Sequence, residues 1–545
     1  MTSMNDRDST AAAVDVDVDA IVVGAGFSGL YSLHRLRELG MTARGFEAGD
    51  DVGGTWWWNR YPGARSDSDS TVYSFSDMFD PSLMSQWRWS ERYPSQPEIL
   101  RYLRWVADCR DLRRDITFGT KVTAAEFDEA RHLWRIVADD GTTTTARYFI
   151  PAVGVLSKPN MPEFAGLDSF AGQWFHTARM PEQEIDVVGK RVAVIGNGAT
   201  AVQIVPVVAR TAAQVYEFSR NPYHCLPGRN HEFDERDWQA IESNHQEIFA
   251  VARENFGGFP YPEAVDGAPL SEEERREVLE SMWRKGGLTV AFSAFGDVAL
   301  NKDVNDSVLA FLREKIAAVI ADPVLADRMT PTSPFVGKRP PIEHGYYAAF
   351  NRDNVELVDM KTNPVARVTP TGIEMADGTH YAVDVILFAT GFDAYTGALY
   401  EMNIRGVGGV TLQERWSEGP STYLGMAVSG FPNMFLHYCG PQNPAILTNG
   451  PTLIEQQGAW IGDFLQHMSA QGHTYVDARP DVQETFMQLH NTISDMTLIP
   501  GTASWWTGTN VEGKATGLLS WCGGFPEYRR VCDEAVGDFA GFRFA

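Results

Sequence analysis

Val18-Asp19-Ala20-Ile21-Val22-Val23-Gly24-Ala25-Gly26-Phe27-Ser28-Gly29 is the stretch that decides the fold. An apolar run short enough for a buried strand leads into a Gly-x-Gly-x-x-Gly turn. Leu30, Leu33, Leu36 and Leu39 then recur at helical spacing until Gly40 stops them. Thr42 to Phe46 reads as a second strand, closed by Glu47 about twenty residues past the turn. This is the order of a dinucleotide site. The glycines permit a tight turn and let a pyrophosphate approach the helix N-terminus, where free backbone N–H groups point at it. The acid after the second strand accepts from an adenosine ribose hydroxyl.

The design occurs twice. Arg191 to Ile195 leads into Gly196-Asn197-Gly198-Ala199-Thr200-Ala201, with alanine in the third glycine position, and a second strand follows over Val215 to Ser219. That strand runs into Arg220 and Asn221 instead of a carboxylate. A guanidinium there can grip a ribose 2′-phosphate in a bidentate fork, which favours NADP over NAD; an arginine merely solvated at a strand end is the alternative. Two dinucleotide sites in one chain imply electron transfer between two dinucleotides.

The 545 residues, 44% of them hydrophobic and 12% aromatic, are ample for two or three globular units. Against 46 Lys plus Arg stand 71 Asp plus Glu, a net charge of -25 that repels nucleic acid and anionic membranes at long range. Cys109, Cys225, Cys439, Cys522 and Cys532 show no CxxC or CxxxxC spacing, so no zinc ribbon, redox dithiol or other metal site is expected. The Asp-rich start lacks the basic and apolar runs of a signal peptide, and no stretch of eighteen apolar residues occurs. A soluble, cytoplasmic protein with a disordered tail over residues 1–17 is expected.

The composition turns charged and helical over residues 231–328, where Ser271 and Glu274 form a capping-box pattern ahead of Val278, Leu279 and Met282. Strand patterns return over Val355 to Val358 and Val383 to Phe388, before a long part rich in Gly, Pro and Trp. The expected fold is α/β: two doubly wound, Rossmann-like dinucleotide-binding domains with a helical insertion. Residues 18–150 plus 388–545 form the first domain in this reading, and residues 151–230 plus 329–387 the second.

Two longer patterns narrow the chemistry. One is Phe170-Ala171-Gly172-Gln173-Trp174-Phe175-His176-Thr177-Ala178-Arg179-Met180-Pro181; the other is Gly54, Trp56, Tyr61, Pro62, Gly63 and Asp67. Over nearly its whole length the chain resembles the type I Baeyer-Villiger monooxygenases, which use FAD and NADPH, and within them the phenylacetone and steroid monooxygenase branch. The family fingerprint FxGxxxHxxxW, followed by Pro or Asp, is met at Phe170, Gly172, His176 and Pro181, but Met180 stands in the Trp position. The Gly-x-Trp to Tyr-Pro-Gly to Asp pattern is complete. Gly337-Lys338-Arg339 is similar to the segment carrying an NADP-phosphate lysine and the catalytic arginine. Ala503-Ser504-Trp505-Trp506-Thr507-Gly508 is similar to a loop whose first Trp folds over NADP. The resemblance assigns FAD to the first turn and NADP to the second. Beyond the turns and Glu47 it implies cofactor contacts from Thr55, Trp56, Trp58, Asp67, Tyr73, Val122, Arg220, Asn221, Lys338, Arg339 and Trp505.

In the reaction this implies, NADPH reduces FAD, the reduced flavin captures O2 at C(4a), and the peroxide attacks a ketone. One oxygen atom is inserted beside the carbonyl, giving an ester or lactone. Negative charge develops beside the flavin, so a fixed cation in a dry pocket is the natural stabiliser, and Arg339 is the candidate. A unit charge about 4 Å away at an effective dielectric of about 20 contributes roughly 4 kcal/mol, about a thousandfold in rate. Arginine keeps its proton where a buried lysine can lose it. Asp67 would hold that guanidinium. The plainer alternatives are a surface arginine beside Lys338 and a turn acid among Ser66, Ser68 and Asp69.

His176 reads as a hinge residue between domains, not an acid-base group. Trp56, Trp57 and Trp58 cannot all face one core, so at least one is expected against the flavin. The largely apolar run Gly440-Pro441-Gln442-Asn443-Pro444-Ala445-Ile446-Leu447 suits a hydrophobic ketone as partner to O2. A monomer or weak oligomer is expected. The competing function is an N- or S-oxygenating flavin monooxygenase, which shares both dinucleotide sites; the complete Trp56 to Asp67 pattern and Arg339 argue against it. A disulfide-type reductase lacks its dithiol here, and a silent nucleotide-binding module would bind both cofactors without turnover.

Overall fold

The computed structural model describes residues 16–83 and 86–545. Residues 1–15 of the expected tail lie outside the described residues, whereas Asp17 is anchored: its carboxylate accepts from the Thr145 backbone N–H at 2.8 Å and hydroxyl at 2.9 Å. Asp17, within the expected tail, is thus held in place by Thr145.

Strand β1 (Val18–Val23) runs into helix α1 (Phe27–Glu38), and β2 (Ala43–Phe46) returns parallel to β1, pairing Ala20 with Ala43 and Val23 with Phe46. Short α2 (Thr55–Trp58) and longer α3 (Gln96–Cys109) follow. After β3 (Ile116–Thr117), the antiparallel ribbon β4 (Val122–Asp128), β5 (Leu133–Ala138) and β6 (Thr143–Pro151) completes most of a seven-stranded sheet. Its order is Ile404–Arg405, β4, β5, β6, β1, β2, β3, so β1 lies inside the sheet and is buried from Ala20 to Val23.

A second, five-stranded parallel sheet is built from β7 (Gln173–His176), β8 (Arg191–Ile195), β9 (Gln214–Ser219), Val355–Asp359 and Val385–Phe388. Between β8 and β9 lies helix α4 (Ala199–Val208), apolar except for Gln203 and Thr200, with its face packed under the sheet. Each glycine turn thus sits at the carboxyl end of an inner parallel strand, where doubly wound folds bind ligands.

The charged stretch folds as five helices: α5 (Glu235–Glu254), α6 (Glu272–Lys285), α7 (Thr289–Phe292), α8 (Lys302–Val319) and α9 (Pro323–Arg328). The expected capping box is present, with the Ser271 hydroxyl accepting from Glu274 N–H and the Glu274 carboxylate accepting from Ser271 N–H. Among the described residues no helix is long and apolar enough to cross a membrane.

Candidate functional site

The first turn has no spare room. Gly24 has φ of +109°, and a Cβ there would lie 2.5 Å from the Ala152 carbonyl oxygen; at Gly29 it would lie 1.8 Å from the Gly24 oxygen. Only hydrogen fits at either position. Glu47 directly follows β2 and is 5% exposed. Its Oε2 accepts from Ala25 N–H at 2.7 Å and its Oε1 from Gly49 N–H at 2.8 Å, so the acid stiffens the turn from inside. Burial pushes its pKa up while those N–H groups oppose the rise. The Trp58 side chain bonds the same carboxylate, which leaves about one of its four lone-pair sites for a ribose hydroxyl to donate to.

Helix α2 starts at Gly54, whose Cβ would meet Gly26 Cα at 2.8 Å, so the helix opens against the glycine turn. Its three tryptophans take three directions. Trp56 Nε1 donates to the Tyr73 hydroxyl at 3.2 Å, Trp57 is buried with the Arg60 guanidinium 3.9 Å from its ring centre, and half-buried Trp58 lies under Arg179 at 4.5 Å. Thr55 is exposed at the first helical position. Val122 begins β4 with its side chain buried in the same core cluster as Ile21, Val23 and Phe46, which leaves its main chain for a cofactor. Phe27 and Ser28 are also buried, Phe27 with its ring edge against Tyr73 and Phe75.

Asp67 and Arg339, 272 residues apart, meet in a bidentate pair. Arg339 Nε donates to Asp67 Oδ2 at 2.7 Å and Nη2 to Oδ1 at 3.0 Å, while Nη1 donates to the Ile446 carbonyl at 2.7 Å. These bonds occupy three of the five guanidinium N–H donors, leaving two for a ligand. The side chains are 17% and 30% exposed. Burial works against the Arg339 charge, but the Asp67 carboxylate more than offsets it and holds the guanidinium above the ordinary arginine pKa. The arginine is a permanent cation in a largely covered place.

One holder of this pair has no motif to announce it. Gln203, 7% exposed on the apolar α4, accepts from the Tyr61 hydroxyl at 2.9 Å and from Arg65 N–H at 3.3 Å, and donates to the Arg65 carbonyl at 3.1 Å. Gly63, at φ of +82°, would place a Cβ 2.5 Å from the Gln203 carbonyl oxygen. The Tyr-Pro-Gly loop bearing Asp67 is thereby clamped to the helix that starts at the second glycine turn. The one sequence signal was a lone amide on a helix face that is otherwise aliphatic.

The second turn repeats the first glycine: Gly196 has φ of +109°, with the Ala389 carbonyl oxygen 2.3 Å from where a Cβ would be. At Gly198 a Cβ would meet nothing within 4 Å, and Ala199 is exposed, so the N-terminus of α4 faces an open cradle. Asn197 donates from its side-chain amide to the Asn221 carbonyl, tying the turn to the end of β9, where Arg220 is exposed. Burial and the charge of Arg220 both lower the pKa of Lys338, so the two cations face common ground; Lys338 Nζ lies 4.7 Å from the Tyr223 ring centre. Thr502 Oγ1 stands 2.4 Å from a Cβ at Gly337, which packs the Lys338-Arg339 loop against the C-terminal loop. There half-buried Trp505 sits edge-on to buried Trp506, with ring centres 6.3 Å apart.

In the long fingerprint, Gly172 is obligatory, since a Cβ would fall 2.3 Å from the Asp384 oxygen. His176 is 6% exposed; its Nδ1 accepts from Ala178 N–H at 3.1 Å, and burial with the Arg179 charge lowers its pKa to about 4. It is a neutral turn-capping residue near pH 7, between β7 and the loop beyond. Met180 is buried at 9% exposure.

The two glycine turns, each at the carboxyl end of an inner parallel strand, and the paired cations beyond the second fit two dinucleotides. The pattern of the Flavin-binding monooxygenase-like family matches residues 18–230. A Baeyer-Villiger monooxygenase of Pseudooceanicola batsensis is 40% identical over 531 residues, covering 97% of this chain and 96% of that one. The chain belongs to the Baeyer-Villiger monooxygenases. It is an α/β flavin-dependent monooxygenase using FAD and NADPH. The acetone monooxygenase (methyl acetate-forming) of Gordonia sp. is 40% identical, covering 96% of this chain and 98% of its own. The phenazine N-monooxygenase PhzNO1 of Lysobacter antibioticus is 38% identical, covering 96% of each. A crystal structure of OTEMO in complex with FAD and NADP superposes with a TM-score of 0.94 at 38% identity, covering 98% of this chain and 100% of that one.

Proposed function

We propose that this Baeyer-Villiger monooxygenase oxygenates a hydrophobic ketone to an ester or lactone, with Arg339 as the charge-stabilising catalytic residue and Asp67 as its holder. The observation that carries the proposal is the bidentate pair, with two guanidinium N–H donors left unpaired among the described residues. When bound, FAD and NADPH supply the reducing electrons and the activation of O2. The protein's own part is electrostatic. Arg339 presents a fixed cation whose tilt is set by Asp67 and by the Ile446 carbonyl, so little reorganisation is needed as negative charge develops. Ala445, Ile446 and Leu447, all at or below 7% exposure, support an apolar substrate beside that cation.

In the same proposal FAD rests on the first turn, with Glu47 at its ribose and Thr55, Trp56, Trp58, Tyr73 and Val122 along it. NADP rests on the second turn, its 2′-phosphate between Arg220 and Lys338, near Asn221 and Trp505. Residues 18–150 plus 388–545 form the FAD domain and residues 151–230 plus 329–387 the NADP domain, a division supported by the two sheets. Five free thiols suit a cytoplasmic protein. The likeness to an N-oxygenating relative keeps nitrogen and sulfur oxidation as the second reading. The test is a panel of ketones, amines and sulfides with FAD-loaded protein, NADPH and isotopically heavy O2, read by product mass. One heavy oxygen beside a former carbonyl supports the proposal; heavy oxygen found only on nitrogen or sulfur overturns it.

A further inference from the structure

The pair Asp67–Arg339 has a neighbour that no motif explains. Two residues along the same loop, Asp69 is buried at 8% exposure and is gripped from two sides. Arg92 Nε donates to its Oδ1 at 2.5 Å, and the Tyr261 hydroxyl donates to its Oδ2 at 2.7 Å. Tyr261 belongs to the helical insertion, on the segment between α5 and α6, where its ring stacks on Phe259 with centres 5.0 Å apart. Phe259 stacks in turn on Phe292 of α7.

Arg92 is the hub of this junction. Its backbone carbonyl accepts from Ser70 N–H at 2.7 Å, and its backbone N–H donates to the His231 carbonyl at 3.0 Å. Its Nη1 donates to the Lys285 carbonyl at 2.8 Å. One residue therefore touches the loop bearing Asp67, the start of the insertion and the end of α6. Asp69 also closes its own turn, its carbonyl accepting from Val72 N–H at 3.1 Å and from Tyr73 N–H at 3.0 Å. The loop is fixed on one side by Gln203 and on the other by Asp69. Among the described residues, the hydrogen bonds that tie it to the insertion are on the Asp69 side, where Val72 also packs with Phe249 and Ala252 of α5.

We infer that Tyr261 is a positioning residue for the Asp67–Arg339 pair, acting through Asp69 and Arg92 to let the helical insertion set the tilt of the catalytic guanidinium. The inference rests on the reading of Arg339 given above. A carboxylate held by a charged donor and a hydroxyl is a strong anchor, because hydrogen bonds to ionised groups are worth more than neutral ones and a buried carboxylate left half-paired is costly. Removing the hydroxyl while keeping the ring leaves the aromatic stack intact and loosens only the anchor.

The test uses FAD-loaded Tyr261→Phe and Asp69→Asn beside wild type and Arg339→Ala. Amide hydrogen exchange over residues 66–73 reports the anchor without any turnover. It should quicken about tenfold in both variants while α1 and β1 stay unchanged. With the panel ketone that the wild type converts fastest, ester formed per NADPH consumed should fall about tenfold, with the KM for NADPH within about twofold of wild type. A purely structural tyrosine would lower Tm or FAD content and leave the ester-to-NADPH ratio alone. Wild-type exchange and a wild-type ratio in Tyr261→Phe overturn the inference. Normal ester from Arg339→Ala overturns the underlying reading instead, whatever Tyr261→Phe does.

Discussion

The two glycine turns begin alike and end differently. Gly24 and Gly196 share φ of +109° and the same kind of backbone obstruction, a carbonyl oxygen 2.5 and 2.3 Å from a would-be Cβ. Beyond that point the first turn is closed in by Gly54 and by its own carbonyl, whereas the second leaves Gly198 open and accepts Ala201 in the third position. The acids differ as well. Glu47 has both oxygens met by backbone N–H, while Glu217, inside β9, has Oε1 bonded to the Tyr346 hydroxyl and Oε2 buried without a hydrogen-bond partner among the described residues. A turn built into the core suits a cofactor that stays, and an open turn suits one that exchanges each cycle.

The harshest way to break this comparison is Gly29→Ala. A methyl 1.8 Å from the Gly24 oxygen cannot be absorbed by a side-chain shift, so the variant should yield no folded, FAD-loaded protein. The flavin-to-protein absorbance ratio checks it, and a soluble yellow enzyme would contradict a tight first turn. The matching change in the open turn, Ala201→Gly, should cost about 1 kcal/mol of stability or less.

Gly198→Ala comes next. Its Cβ clashes with nothing in the protein but enters the cradle, so FAD content and Tm should hold while the KM for NADPH rises about ten- to hundredfold. Smaller again are Arg220→Ala and Lys338→Ala, each expected to lower the preference for NADPH over NADH about tenfold, roughly the loss of one charged hydrogen bond. Steady-state kinetics with both nucleotides measure this. An unchanged preference would move the 2′-phosphate elsewhere.

The smallest effect concerns pH. Burial raises the Glu217 pKa to about 8, against the opposing hydrogen bond from Tyr346. The folded state keeps a proton that the unfolded state releases near the ordinary glutamate value. Stability from this group is therefore present at low pH and lost as pH rises toward 8. Glu217→Gln should remove that loss, so its Tm advantage over wild type should grow by a few degrees between pH 5 and pH 8. A constant Tm difference across that range would mean Glu217 is not protonated in the fold.

Local patterns made much of this legible. Strand β1, the capping box at Ser271 and both glycine turns depend on residues within one turn or strand of each other, and periodicity reports such things directly. The meeting of Asp67 with Arg339 came from resemblance, since nothing local links residues 272 positions apart. Gln203 and the Asp69–Arg92–Tyr261 junction left no comparable trace. Each is a polar group whose partner lies more than a hundred residues away, or across a loop of irregular backbone, and its role is fixed by tertiary packing alone. Among the tryptophans, composition showed only that three in a row must diverge; their directions are set by Tyr73, Arg60 and Arg179.

The most direct test of the central claim is Arg339→Ala, assayed as FAD-loaded protein with NADPH, heavy O2 and the best panel ketone. Flavin content and NADPH-driven flavin bleaching under nitrogen should be retained, while ester formation falls about a thousandfold. Labelled ester at a rate near wild type would contradict the account and leave Arg339 and Asp67 as an ion pair with no catalytic duty.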